Sequence, residues 1–139
     1  MEFIKKNYLY LIFAVSLLGT IISLYFSAIL GWVPCVLCWY QRIFLYPIVI
    51  ISLVAILKKD VKGYCYIMPF AIIGSLVSLF HNLLFWKIIP ESLAPCINGV
   101  SCLNDKLQLF GFVTIPLLCL IAFLLIISFI IIAKKYENK

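Results

Sequence analysis

Charged residues are scarce in this chain of 139 residues. They make up 12% of it, whereas hydrophobic residues reach 66% and the mean hydropathy is +1.21. A soluble globular domain carries about twice that share of charge, and so small a chain has too much surface for its volume to bury the apolar excess. The scarcity of charge therefore excludes an ordinary soluble domain and a disordered tail, and it favours an integral membrane protein whose apolar faces meet lipid.

Three further features are missing, and each absence excludes a class of protein or segment. The eleven Lys and Arg are scattered between apolar runs and form no single basic face, so we expect no nucleic-acid partner. No A-x-A cleavage site follows the first apolar run, which is also too long for a signal peptide, so we interpret it as an uncleaved helix. No internal repeat or Ser/Gly-rich linker divides the chain, and we expect residues 1–139 to form one membrane domain.

Four long apolar segments predict the fold. Segments 8–30 and 64–86 each contain 23 residues without a charged side chain, and a helix of that length measures about 35 Å. The hydrocarbon core of a bilayer is about 30 Å thick, so both are long enough to cross it. Segment 107–133 is a further long apolar stretch, while 36–57 reaches 22 residues only by including Arg42. The sequence therefore predicts an all-α, integral membrane four-helix bundle with these four spans.

The basic residues predict the orientation of the bundle. Eight of the eleven lie at the N-terminus, between spans two and three, or at the C-terminus, and the other three are Arg42, Lys87 and Lys106. Because basic residues concentrate on the cytoplasmic side of a membrane protein, both termini are expected to be cytoplasmic. The connections between spans one and two and between spans three and four then lie outside the cell.

The six cysteines fall into two groups by their position along the spans. Four of them lie at the outer end of span two or in the second outer loop, namely Cys35, Cys38, Cys96 and Cys102. The outer compartment permits disulfides, and these four allow three pairings, which the sequence leaves open. The fifth and sixth, Cys65 and Cys119, are expected to be packing residues, because a buried free cysteine behaves as a small hydrophobic residue.

The segment 35–38 reads C-V-L-C, the spacing of redox-active dithiols. At the start of a helix, two cysteines three residues apart share one face, and the free N–H groups stabilise a thiolate there. A static disulfide staple is one alternative, but it closes too small a loop to stabilise much. Half of a four-cysteine zinc site is another, but the spacing of Cys96 and Cys102 is too wide for a zinc knuckle, so we expect no metal.

Arg42 and His81 are ionisable residues inside the predicted spans, and both are candidates for a functional role. Arg42 lies one turn deeper than Cys38 on the same helix face. A guanidinium inside a span is costly and usually functional; here it would favour a nearby thiolate and donate hydrogen bonds to a quinone carbonyl. A snorkelling anchor is the alternative. His81 would either hydrogen-bond a neighbouring helix or supply a hydrogen bond or proton to a redox ring.

Residues 35–42, C-V-L-C-W-Y-Q-R, resemble the signature of the DsbB family of quinone-linked, disulfide-forming membrane proteins. The short chain and the tract F-G-F-V-T-I-P at 110–116 are similar to the Gram-positive branch of that family, and the resemblance covers nearly the whole chain. It implies a protein-dithiol:quinone oxidoreductase in the bacterial cell membrane. Such an enzyme supports disulfide bond formation in secreted proteins.

The resemblance also implies roles for the cysteines. Cys35 and Cys38 match the redox-active disulfide that faces the quinone, with Cys38 in contact with it. Cys96 and Cys102 match the second redox-active disulfide, which meets an extracytoplasmic thioredoxin-like thiol oxidase of the DsbA kind. The active cysteines are then on the extracytoplasmic side. This chain departs from the family in its shorter second loop, where the two cysteines are only six residues apart.

The quinone site implied by the resemblance comprises Cys38, Arg42 and His81, and the cofactor is a membrane quinone, menaquinone or ubiquinone. Two other functions stay open on the residues alone. One is a quinone enzyme resembling vitamin K epoxide reductase, although its C-x-x-C typically comes late in the chain and this one comes early. The other is a small membrane scaffold with structural disulfides.

Overall fold

The computed structural model describes residues 2–94, 96, 102 and 113–137. Within this part of the chain all regular elements are helical, and the four long ones are α1 (Glu2–Leu24), α2 (Val36–Lys58), α3 (Tyr64–Phe85) and α4 (Ile115–Glu137). Each contains a stretch long and apolar enough to cross a membrane. The predicted all-α four-helix membrane bundle is therefore confirmed, while the cytoplasmic position of the termini stays a prediction.

The ends of the helices differ in places from the predicted spans. Helix α1 is followed by a π-helical turn, Tyr25–Ile29, and helix α4 begins at Ile115. The side chain of Thr114 accepts a hydrogen bond from the Leu117 backbone N–H at 3.3 Å, as a helix N-cap does. Residues 107–112, the predicted start of span four, lie outside the described residues.

The helices pack in a ring in which α1 contacts α2 and α4, and α3 also contacts α2 and α4. One buried cluster, here called the apolar core, draws on all four helices and includes Ile12, Leu45, Ile48, Ile67, Phe123, Ile126 and Ile130. Helices α3 and α4 approach closely at Gly74, where an added Cβ would overlap with the ring of Phe123. Glycine at this position therefore lets α3 lie close against α4.

The connection between α2 and α3 closes the end of the bundle next to the apolar core. Helix α2 ends at Lys58 and is capped by Lys59, which has a left-handed φ of 53°. The N–H of Asp60 then donates to the Ala55 carbonyl at 2.9 Å. The buried Tyr8 hydroxyl of α1 donates to the Val61 carbonyl at 2.6 Å. These bonds tie the connection to α2 and α1. The cysteines at 35, 38, 96 and 102 lie at the opposite end of the bundle.

At that opposite end a second buried cluster, here called the cysteine cluster, joins the start of α2 to the end of α3. Its members are Cys35, Leu37, Leu84, Ala94, Cys96 and Cys102. The chain reaches Cys35 through a tight reversal at Gly31, whose φ is 64°. The ring of Trp32 stacks on Phe26 with the centroids 5.1 Å apart, which holds this reversal against the π-helical turn.

The two remaining cysteines differ in their surroundings. Cys119 is half-buried and packs against the apolar core, so the prediction that it is a packing residue is confirmed. Cys65 is exposed, so the same prediction is wrong for it. The buried face of α3 runs through Tyr64 and Ile67, and Cys65 is turned about 100° from Tyr64 because a helix has 3.6 residues per turn.

Candidate functional site

Cys35 caps the N-terminus of α2. Its backbone is extended, with φ −69° and ψ 169°, and its sulfur accepts a hydrogen bond from the backbone N–H of Cys38 at 3.3 Å. Both residues are free thiols, and their sulfurs lie 2.7 Å apart. Cys35 is 3% exposed, whereas Cys38 is half-buried. The C-x-x-C segment therefore presents one enclosed sulfur and one more accessible sulfur.

His81 links this thiol pair to the second pair of cysteines. Its Nε2 atom lies 3.9 Å from the Cys35 sulfur and 3.3 Å from the backbone carbonyl oxygen of Cys102. The side chain is fully buried, with 0% exposure. The last turns of α3 thus bring one imidazole nitrogen to both cysteine pairs.

Cys96 and Cys102 form a disulfide, with their Cα atoms 5.9 Å apart. Of the three pairings that the sequence left open, this is the one present in the structure. Both residues are buried, and they pack with Leu84 and Cys35 in the cysteine cluster. The second disulfide is therefore seated against the C-x-x-C segment, even though only six residues separate its cysteines.

Gln41 is a polar member of the site that was not predicted from the sequence. It is 3% exposed, and its side-chain Nε2 lies 3.3 Å from Nδ1 of His81. If the amide nitrogen donates here, Nδ1 is the acceptor and the proton of His81 is on Nε2, directed at Cys102. The available signal was a polar amide inside a span, three residues after Cys38 and so on the same helix face.

The surroundings of Cys35 favour its thiolate. The hydrogen bond with the Cys38 thiol is the largest cause, the hydrogen bond with His81 adds to it, and together they outweigh burial and lower the pKa of Cys35 to about 5. At neutral pH the reduced residue is consequently a thiolate. A thiolate is the nucleophilic and metal-binding form of cysteine.

Arg42 contacts α1 and an aromatic ring of its own helix. Its Nη2 donates to the Ser23 carbonyl at 2.9 Å, and its guanidinium carbon lies 5.5 Å from the centroid of the Trp39 ring. Neither of these two partners was predicted from the sequence. The three-residue spacing of Trp39 and Arg42 on one helix was a usable signal, but nothing in the sequence indicated the Ser23 carbonyl.

Comparison with known proteins identifies the family. The family model for Disulfide bond formation protein DsbB matches residues 5–133. The chain is 43% identical over 134 residues to Disulfide bond formation protein C of Bacillus subtilis (strain 168), covering 95% of this chain and 96% of the relative. No solved structure is a significant match.

Two further relatives carry similar names. Probable disulfide formation protein C 1 of Bacillus anthracis is 44% identical over 135 residues, which are 94% of this chain and 96% of the relative. Probable disulfide formation protein of Chlamydia pneumoniae is 37% identical over 137 residues, 99% of this chain and 98% of the relative. These names indicate an oxidoreductase role in disulfide formation. With four helices suited to crossing a membrane and cysteine pairs at one end of them, the chain belongs to the DsbB family of disulfide bond formation proteins.

Proposed function

We propose that this protein is a membrane protein-dithiol:quinone oxidoreductase. It accepts electrons from an extracytoplasmic thioredoxin-like thiol oxidase of the DsbA kind, and its electron acceptor is a membrane quinone, menaquinone or ubiquinone. The observation that carries the proposal is the position of His81 Nε2, 3.9 Å from the Cys35 sulfur and 3.3 Å from the Cys102 carbonyl. This position supports direct exchange between the two cysteine pairs.

The exchange begins at the Cys96–Cys102 disulfide. A thiolate of the partner attacks Cys96, so that a mixed disulfide forms and Cys102 leaves as a thiolate. Cys102 then attacks Cys35 of the oxidised C-x-x-C pair, and Cys38 leaves. The second thiol of the partner attacks its own mixed disulfide and releases Cys96 as a thiolate, which attacks Cys102. The second pair is thereby restored and Cys35 leaves as a thiolate.

The low pKa of Cys35 drives this sequence toward the C-x-x-C pair. A thiol with a low pKa is a good leaving group in exchange, and the lowering to about 5 makes Cys35 one at neutral pH. The stabilised thiolate also favours the reduced form of the pair over its disulfide, which makes the pair a stronger oxidant. Electrons consequently move from Cys96 and Cys102 to Cys35 and Cys38.

The residues around Cys38 fit a quinone. Arg42 carries five N–H donors, and among the described residues its guanidinium makes one hydrogen bond, to Ser23, so donors remain for a ring carbonyl. Trp39 offers an exposed aromatic face beside them. When bound, a membrane quinone supplies the oxidising power by taking up two electrons and two protons.

The experiment that tests the proposal measures oxidation of the reduced, purified chain by a soluble quinone. We expect the four thiols at 35, 38, 96 and 102 to become disulfides while quinol forms. Arg42→Lys keeps the charge but loses the planar fork of donors. It should therefore weaken the apparent quinone affinity about 10–100-fold, the value of one charge-assisted hydrogen bond, and leave thiol exchange with the partner intact.

Lys87→Ala serves as the matched control, because Lys87 is an exposed basic residue beyond the end of α3. It should leave both half-reactions unchanged. The cysteines of a membrane scaffold would not react with quinone. Cysteine thiols of the native chain that stay reduced after quinone is added would therefore overturn the proposal. If Arg42→Lys oxidises normally at every quinone concentration, Arg42 is a membrane anchor and has no part in the quinone site.

A further inference from the structure

Three side chains that suit a thiophilic metal ion meet at the start of α2. The sulfurs of Cys35 and Cys38 and a ring nitrogen of His81 all lie within 4.8 Å of one another. We propose that the reduced chain binds one Zn²⁺ ion through these three residues, and that the ion blocks thiol exchange while it is bound. This ligand set differs from the four-cysteine site that the sequence disfavours, and the proposal does not depend on the identity of the quinone or partner.

The distances suit a tetrahedral zinc site after one small movement. Bonds of about 2.3 Å to sulfur and 2.0–2.1 Å to nitrogen place two sulfurs about 3.8 Å apart and a sulfur and a nitrogen about 3.6 Å apart. The Cys35 sulfur already lies 3.9 Å from His81 Nε2. The two sulfurs are 2.7 Å apart and must separate by about 1 Å. Cys38 is only half-buried, so its side chain has room to rotate.

The charges of the ligands suit an ion in this buried place. A lone cation among apolar side chains loses its hydration at a large free-energy cost. The two negative charges of the thiolates cancel the charge of Zn²⁺, and the imidazole is neutral. The occupied site therefore carries no net charge. Coordination removes the thiol protons outright. Binding therefore converts Cys35, Cys38 and the ion into a neutral unit enclosed against the cysteine cluster.

Gln41 supplies the outer contact that a zinc-bound histidine requires. A metal-ligating imidazole usually donates its other N–H to an acceptor, which fixes the ring. Nδ1 of His81 lies 3.3 Å from the Gln41 amide, and exchanging the amide oxygen and nitrogen ends turns this contact into the required acceptor. Nε2 then gives up its contact with the Cys102 carbonyl and faces the ion.

The site exists only when the C-x-x-C pair is reduced, because a disulfide offers no thiolate. Three protein ligands leave the fourth position of the ion open, and the Cys96–Cys102 pair is not needed. We therefore expect the double variant Cys96→Ala/Cys102→Ala to bind Zn²⁺ as the native chain does. This expectation separates the proposed site from any zinc site built on four cysteines.

The test uses the full chain in detergent, reduced with a phosphine and titrated with Zn²⁺ against a chromogenic chelator. One ion should bind per reduced chain and none to the oxidised chain. Loss of an outer contact alone weakens metal binding 10–100-fold, so Cys35→Ser and His81→Ala, which lose a ligand, should weaken it by more than about 100-fold. Cys65→Ser and Cys119→Ser are the matched controls, and both should bind Zn²⁺ normally.

Cobalt(II) provides a second readout that needs no variant at His81. In the reduced native chain it should show thiolate-to-metal charge-transfer bands with the visible spectrum of a tetrahedral site, and Cys38→Ser should weaken these bands. Binding that is the same in the oxidised chain, or that survives Cys35→Ser, would overturn the proposal. So would the absence of binding by the reduced native chain.

Discussion

Cys35 shows how neighbouring atoms set the chemistry of a single side chain. It is 3% exposed, which by itself disfavours a thiolate, yet the Cys38 thiol and His81 more than compensate for the lost hydration. The same sulfur contacts the imidazole that meets Cys102. Reactivity at this end of the bundle therefore depends on contacts from two helices and from Cys102.

The pKa of Cys35 can be tested by titrating the ultraviolet absorbance of thiolates in the reduced chain, with Cys35→Ser subtracted. Because the pKa is lowered to about 5, the Cys35 thiolate should persist from neutral pH down to about pH 5 and be lost below it. Cys38→Ala removes the largest cause and should raise the pKa more than His81→Asn does. A native chain whose Cys35 thiolate is already lost at pH 7 would contradict this account.

At this scale the sequence allowed part of the site to be predicted. The spacing of Cys35 and Cys38 is local, and it predicted their place at the start of a helix. The contact between Gln41 and His81 joins residues 40 apart in the chain. It depends on the register of α2 against α3, which hydrophobicity does not encode. The exposure of Cys65 was missed because an apolar segment does not reveal which side of its helix faces the bundle.

Helix α3 is the element that positions the imidazole. Its buried face runs through Ala71, Gly74, Ser78 and His81, residues three or four apart that share one side of a helix. The small ones let α3 approach α4 closely, as small residues do in membrane bundles. We therefore expect the position of the His81 side chain beside Cys35 to depend on packing at Gly74, about two turns away along α3.

Gly74→Ala tests the close packing of α3 against α4 at this position. Alanine favours a helix by about 1 kcal/mol over glycine, but the added Cβ would overlap with the fully buried Phe123 ring, and overpacking costs about 1–3 kcal/mol. We expect a net loss of about 1 kcal/mol, since the packing cost exceeds the propensity gain. Thermal unfolding in detergent measures it.

Gly19→Ala is the control for this substitution, because its Cβ would lie 3.2 Å from a flexible methyl group of Leu45. That methyl can move by a few tenths of an ångström, so Gly19→Ala should be tolerated. The double variant Gly74→Ala/Phe123→Leu should recover part of the lost stability. A Gly74→Ala chain that unfolds at a higher temperature than the native chain would show that α3 and α4 are not closely packed there.

The four helices were predictable because length and lack of charge are enough to identify a membrane-spanning segment. The π-helical turn at Tyr25–Ile29 was not. Nearly uniform hydrophobicity gives no periodic signal from which to distinguish a wider turn from an α-helical one. The start of α4 was placed at residue 107 for the same reason, since the run of apolar residues does not mark Thr114 as its cap.

At the scale of the whole molecule, the bundle separates its two buried clusters. The apolar core extends to the end where Tyr8 and Tyr64 lie, whereas the cysteine cluster occupies the end formed by the start of α2 and the end of α3. The basic residues are concentrated at the ends of the helices beside Tyr8 and Tyr64. The positive-inside rule therefore favours a cysteine cluster on the extracytoplasmic side.

This orientation predicts a labelling pattern in intact cells treated with a membrane-impermeant thiol reagent. A chain with native Cys65 as its only thiol should remain unlabelled until the membrane is permeabilised, because exposed Cys65 lies in the first turn of α3, at the end that this orientation places in the cytoplasm. A chain with Lys87→Cys as its only thiol should be labelled at once. The reverse labelling pattern would show that the bundle has the opposite orientation, with the active cysteines inside the cell.

The central claim is that the two cysteine pairs exchange directly beside His81, and one disulfide tests it. The double variant Cys38→Ala/Cys96→Ala keeps the thiols of Cys35 and Cys102. His81 Nε2 lies 3.9 Å from the Cys35 sulfur and 3.3 Å from the backbone carbonyl oxygen of Cys102. Mild oxidation followed by proteolysis and mass spectrometry should recover an intramolecular disulfide between them. In the matched variant Cys35→Ala/Cys96→Ala, the link between Cys38 and Cys102 should form in much lower yield. No Cys35–Cys102 link, or equal yields in the two variants, would contradict the account.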